Sequence, residues 1–158
     1  MEIVAEPLTR DAFTRFGEVI EGLSQPGRVF YNRELANARG NAKCDLSLAM
    51  LNPTPMPLHA KVMERHEFSS QSIVPLRVAR YLVIVAPRAA DGGPDPKLAR
   101  AFLANSRQGV TIRMNTWHHG LTVLDEPGEF GVLMWCDGTR GDEEFRPLAH
   151  PFTVTIPD

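Results

Sequence analysis

An acid and an imidazole two residues apart, Glu64 and His66, stand within the stretch LHAKVMERHEFSSQ (58–71), and a tandem pair, His118 and His119, closes the run Asn115-Thr116-Trp117-His118-His119. Carboxylates and imidazoles are the side chains that exchange protons near neutral pH and that ligate divalent ions, so their convergence would support acid–base or metal-assisted chemistry. With a strand's period of two, Leu58, Ala60 and Val62 share one face, and His59, Lys61, Met63 and Arg65 share the other. The first face is apolar and is predicted to look inward. Continued, it reaches Glu64 and then His66, where apolar side chains are expected and a buried ionisable pair is costly unless paired or used. For an isolated pair, an edge strand emerging into water explains the pattern equally well. A second polar cluster at the end of another strand-like run favours convergence.

The elements that must carry these residues are short and numerous. A strand over 2–8, a short helix capped by Thr9 and stopped by Gly17, and a strand over 18–20 open the chain. Residues 31–43 form a loop, 45–51 a strand and 52–57, with three prolines, a connector. Residues 81–86, apolar on both faces, read as a central strand. Asp95-Pro96 reads as a cap and first turn, opening a helix over 97–105 with Leu98, Ala101 and Phe102 on one face. Strands follow over 110–116, 121–124, 130–136 and 152–156. Many short strands broken by Gly and Pro turns predict an all-β fold, a sandwich or a small barrel enclosing a cavity, with a few short decorating helices.

Length and composition set the outer bounds. A chain of 158 residues is expected to form one domain, 1–158. Lys and Arg number 17 against 19 Asp and Glu, so no basic surface is available for a nucleic-acid backbone or an anionic membrane. No signal-like segment and no apolar run of membrane-span length occurs, which predicts a soluble, cytoplasmic protein. Cys44 and Cys136 lack close partners and metal-type spacing and read as small apolar residues rather than a disulfide framework.

The order Glu64-x-His66, then Gln71, then His118-His119 resembles a cupin. The cupin jelly-roll barrel (a double-stranded β-helix) carries two ligands at i and i+2, a third further on, and a histidine in a second motif. Glu64 stands where the usual first histidine would be, and Gln71 where the usual glutamate would be. The resemblance implies a weak divalent-metal site at Glu64, His66 and His119, because a neutral amide is a poor replacement for a carboxylate; it implies no organic cofactor. Read together, Glu64-Arg65-His66, Ser70-Gln71, Pro75-Leu76, 82–86, Leu98-x-x-Ala101-Phe102, Gln108-Gly109-Val110 and Trp117-His118-His119 occur in an order similar to the ureidoglycolate lyase family of allantoin catabolism. The pattern at 7–17 fits as well.

That resemblance implies a homodimeric enzyme releasing urea from the small molecule ureidoglycolate to leave glyoxylate. The catalytic set it points to is Glu64, His66, His118 and His119, with the base and acid roles unordered among them. Substrate contacts are expected from Gln71, Arg113, Asn115, Arg39 and Trp117, the arginines as clamps for the substrate carboxylate; packing is the competing role for Trp117. Arg80 is a further cationic candidate. Two positions depart from the family pattern: Gly120 replaces a proline after the paired histidines, and Cys44 replaces a histidine before Asp45. A related cupin acting on another small hydroxy or keto acid or releasing ammonia, and a non-catalytic carboxylate-binding cupin, remain open. His59 is expected to face solvent, His150 to lie in a loop, and Asp142-Glu143-Glu144 to form a solvated turn.

Overall fold

Alternating apolar residues and frequent turn formers break the chain into strands that pair over long sequence distances. In the computed structural model, which describes residues 1–157, these are β1 (Glu2–Val4), β2 (Glu6–Pro7), β3 (Gly17–Glu21), β4 (Lys43–Leu51), β5 (Leu58–Arg65), β6 (Gln71–Arg77), β7 (Arg80–Ala86), β8 (Arg100–Asn105), β9 (Gln108–Ile112), β10 (Trp117–His118), β11 (Thr122–Leu124), β12 (Gly128–Cys136) and β13 (Glu144–Thr155). A four-residue helix, α1 (Arg10–Phe13), follows its Thr9 cap, whose hydroxyl accepts from the Ala12 N–H at 3.2 Å. One sheet runs β1-β13-β5-β10-β7-β8-β2, with β11 also on β7; the other runs β3-β9-β6-β12-β4. From β5 onward the chain crosses repeatedly between the two, which gives the jelly-roll architecture of a cupin-type barrel.

Two cores result. Between the sheets lie Val83 and Phe102 from the first and Val19, Ile73, Val110 and Phe130 from the second, with Phe13 and Phe16 from the α1 region packed against Phe102. The other core lies on the opposite face of the larger sheet, where Ala60, Met63, Leu82, Ile84, Trp117, Phe152 and Val154 meet. On β7 the residues alternate strictly between these cores, which is why 81–86 reads as apolar on both faces. Gly17 is required by a close approach: a Cβ there would collide with the Thr111 carbonyl oxygen.

Three expectations change. The helix predicted over 97–105 is a single 3-10 turn (Pro96–Leu98) followed by strand β8. The Asp95 cap holds, accepting from the Lys97 N–H at 3.0 Å, but Ala101 and Phe102 then point into different cores. A strand buried on both faces and a helical stripe give similar apolar clusters over so short a length. The strand predicted over 110–116 leaves the smaller sheet at Ile112, turns through Asn115 at φ 65° and enters the larger sheet at Trp117. On β5, finally, the alternation does not run unbroken. Between the pairs Val62–Pro147 and Ala60–Phe152, Lys61 faces four residues of β13, Leu148–Pro151. This irregularity shifts the phase, so Ala60 and Met63 share a core while Val62 is exposed, and Glu64 and His66 face the space between the sheets.

Phe102 is fully buried where the aromatic cluster under α1 meets β8. Phe102→Ala should therefore lower unfolding free energy by about 3–5 kcal/mol, measured by urea titration; a loss under about 1 kcal/mol would mean that this cluster is not packed as described.

Candidate active site

Strand register brings the two polar clusters together. His118 on β10 lies directly opposite Glu64 on β5 and, on its other side, opposite Val85 on β7. Directly opposed residues project to the same face, so the His118 ring meets the Glu64 carboxylate, with Nε2 3.4 Å from Oε1. Trp117, one residue earlier, projects to the other face and is fully buried in the second core, its indole N–H donating to the Gly92 carbonyl. Asn115 makes this geometry possible. Its left-handed turn is held by its N–H on the His66 carbonyl at 2.8 Å and by its Oδ1, which accepts from Arg65.

The tautomers follow from carbonyls, which only accept. His66 Nδ1 donates to the Asp142 carbonyl at 2.8 Å, and His118 Nδ1 donates to the Thr116 carbonyl at 2.9 Å. Both Nε2 atoms then carry lone pairs when the rings are neutral. That of His66 accepts from the Gln71 amide at 3.0 Å. That of His118 is buried, has no hydrogen-bond partner and faces Glu64. A lone pair against a carboxylate is stable only with a proton on one of the two or a cation held by both. The rings of His66 and His118 sit 5.2 Å apart, and one ligand atom from each of Glu64, His66 and His118 lies within 4.8 Å of the others.

The metal grouping expected at Glu64, His66 and His119 is thus corrected to Glu64, His66 and His118. His118 continues the pairing of β10 with β5, whereas His119 lies beyond the end of the strand. His119 still lines the same cavity, with its Nδ1 directed to the Gly120 carbonyl and the Thr122 hydroxyl. This cavity, of about 240 Å³, is bounded by Glu64, Gln71, His118 and His119 and by apolar residues that include Ala49, Ile73 and Leu121.

Electrostatics separate the ionisable groups. Burial alone would raise the Glu64 pKa, but contact with His118 and the charges of both imidazoles outweigh it and hold the carboxyl below its ordinary range. Glu143 is pushed the other way, by burial and then by the nearby Glu64 carboxylate. Burial, with the neighbouring His118, lowers the His66 pKa, so this ring favours the neutral form.

Asp142-Glu143-Glu144 is therefore not simply a solvated turn. Asp142 orients His66 through its carbonyl, Glu143 meets Glu64, and Glu144 pairs with Arg65 at 2.6 Å. No pattern along the chain announces this, because the segment faces the site only through the pairing of β13 with β5.

The arginines expected as carboxylate clamps are engaged elsewhere. Arg39 pairs with Asp137 at 2.9 Å and with Asp142 at 2.7 Å; Arg113 grips both oxygens of Glu34 at 2.8 Å; Arg80 pairs with Asp125 near the surface. Asn115 and Trp117 likewise do not line the cavity. Gln71 does. His59 is exposed as expected, and His150 is exposed at the β13 irregularity rather than in a free loop. The Cys136 thiol is pushed up to about 11, first by burial and then by neighbouring acids, which leaves it inert as a nucleophile. Gly120 has ordinary φ, and a Cβ there would meet only Glu64 Oε1, at 3.8 Å.

The family described as ureidoglycolate lyase matches residues 1–155. Among similar proteins, a ureidoglycolate lyase of Chelativorans sp. is 36% identical, over 99% of this chain and 98% of its own. One from Azotobacter vinelandii is 37% identical, over 89% of each chain, and one from Pseudomonas savastanoi pv. phaseolicola is 33% identical, over 91% of this chain and 89% of its own. A solved structure of RmlC from Streptococcus suis with dTDP-D-xylose is similar in part, at TM-score 0.44 and 11% identity, over 62% of this chain and 46% of that one.

A lowered His66 pKa has a stability consequence. Unfolded chains protonate this residue below about pH 6.5, whereas the folded chain resists, so the folded state binds fewer protons and loses stability as pH falls through that region. In chelator-treated protein, the melting temperature should drop more steeply below pH 6.5 for the wild type than for His66→Gln; parallel slopes would show that His66 does not resist protonation.

Proposed function

The chain belongs to the ureidoglycolate lyase family, and on that premise we propose that it eliminates urea from ureidoglycolate to leave glyoxylate, as a carbon–nitrogen lyase of allantoin breakdown. The observation that carries the reading is the single cavity shared by Glu64, Gln71, His118 and His119. The reaction is redox-neutral and moves one proton. The hydroxyl on the urea-bearing carbon loses its proton, the C=O bond forms as the C–N bond breaks, and the departing nitrogen takes up a proton to become urea. Imidazole nitrogens that titrate near neutrality suit the first transfer, and a carboxyl or imidazolium suits the second. The Gln71 amide is available to the substrate's oxygens. Among the described residues lining the cavity there is no Lys or Arg, so the substrate carboxylate needs another positive partner.

Glu64, His66 and His118 fit a divalent cation. They offer one oxygen and two nitrogens in close reach, both rings anchored through Nδ1 to backbone carbonyls as ligating imidazoles are, and a buried His118 Nε2 without a hydrogen-bond partner. Such an ion, when bound, supplies Lewis-acid polarisation of the hydroxyl and neutralises the carboxylate. A redox-neutral elimination calls for no organic cofactor.

A single domain spanning 1–158, acting in the cytoplasm as a homodimer, completes the reading; among the described residues, no helix is long and apolar enough to cross a membrane. Support for the dimer comes from the outer face of the smaller sheet. Leu46, Leu48 and Met50 on β4 and Val74 and Leu76 on β6 are exposed together there, beside a β4 edge open to solvent.

Incubation of purified protein with ureidoglycolate should yield urea and glyoxylate in equal amounts; ammonia in place of urea, or binding without turnover, would refute the assignment. Glu64→Gln should lower kcat by about a hundredfold or more while leaving the fold intact by circular dichroism. In sedimentation, the wild type should run at twice the 17.6 kDa chain mass and Leu46→Glu/Leu48→Glu as a monomer; an unchanged mass for the variant would move the contact elsewhere.

A further inference from the structure

We propose that Thr122 is a positioning residue that fixes His119 with its proton on Nδ1, making His119 Nε2 the nitrogen that takes the substrate's hydroxyl proton. This deepens the lyase reading and rests on it. The argument begins with a division among the three imidazoles of the site. His66 and His118 turn their Nε2 atoms toward the Glu64 cluster. His119 stands outside that cluster but lines the same cavity. Its backbone is secured at the strand end by its N–H on the Ile84 carbonyl, at 2.9 Å.

The His119 ring is held from behind. Its Nδ1 lies 3.0 Å from the Gly120 carbonyl and 3.1 Å from the Thr122 hydroxyl oxygen. Thr122 spends its only hydroxyl proton on the same Gly120 carbonyl, at 3.0 Å, so its oxygen can only accept toward the ring. Two acceptors facing Nδ1 require the proton there, and the neutral ring then carries its lone pair on Nε2. Thr122 is itself immobile: it is 1% exposed and locked opposite Leu82 where β11 pairs with β7. The Gly120 turn that it braces lies over Glu64, with the position of a Gly120 Cβ 3.8 Å from Oε1. The His119 ring thus stands in the cavity that Glu64 and His118 also line. The proton it takes from the hydroxyl is the one the departing urea nitrogen must gain, so the step balances without a further reactant.

A purely structural Thr122 would satisfy the Gly120 carbonyl and nothing else, and the two roles give different results. With the protein as purified, Thr122→Val and Thr122→Ser are compared for urea release, and imidazole 15N shifts are read in histidine-labelled samples. Expected are a fall in kcat of about tenfold for Thr122→Val with KM held within about twofold, recovery by Thr122→Ser, and wild-type His119 signals of an Nδ1-protonated ring that become mixed in Thr122→Val. Unchanged kcat in Thr122→Val, an equal loss in Thr122→Ser, or a wild-type His119 protonated on Nε2 would each overturn the proposal. Absence of urea release by the wild type would defeat the lyase reading itself; the 15N shifts would still decide the Thr122–His119 geometry on their own.

Discussion

The site depends on one cross-strand pair. Glu64 and His118 come from segments more than fifty residues apart and face one another only because β10 seats between β5 and β7 in a single register. A slip of one residue would send Trp117 into the cavity and His118 into an apolar core, exchanging a satisfied indole for a stranded imidazole. The buried Trp117, anchored through its N–H to Gly92 and covered by the Arg65 guanidinium 4.8 Å from its ring, makes that slip costly. Core packing on one face of the sheet thereby fixes chemistry on the other.

Around that pair, backbone carbonyls do most of the orienting. Asp142, Thr116 and Gly120 each present a carbonyl to a histidine Nδ1, which gives the three neutral imidazoles the same tautomer, with the lone pair on Nε2. Side chains then hold those carbonyls in place. The Asp142 carboxylate caps the N–H groups of Asp137 and Gly138 and pairs with Arg39, so the loop carrying the His66 acceptor is fastened from both sides. Arg39 thus serves the site at one remove, its guanidinium paired with the half-buried Asp137 and Asp142 and donating to the Trp135 carbonyl.

Much of this was legible along the chain. Apolar runs bounded by turn residues marked β4, β7 and β12, Thr9 and Asp95 were recognisable caps, and an acid and imidazoles lay where apolar residues belong. The failures share a cause. At 97–105, burial on two faces imitates a helical stripe; at 110–116, the chain changes sheets inside a run that looks continuous. On β5 the inward direction of Glu64 was anticipated although the alternation leading to it was not unbroken, because the four-residue excess on β13 is invisible from β5 itself. Glu143 and Thr122 carried no signal: an acidic run and a strand threonine are ordinary until pairing brings them against Glu64 and His119.

Residue type and local spacing therefore determined the all-β architecture, the polar cavity and the chemical vocabulary of acid, imidazole and amide, since these follow from periodicity, turn chemistry and the cost of burying charge. Tertiary structure alone decided which histidine joins Glu64 and His66, which acids are drawn into the site, and which arginines are spent on structure. Those choices are set by strand register and by contacts across long sequence separations, where each partner's direction depends on a neighbour that the local sequence does not contain.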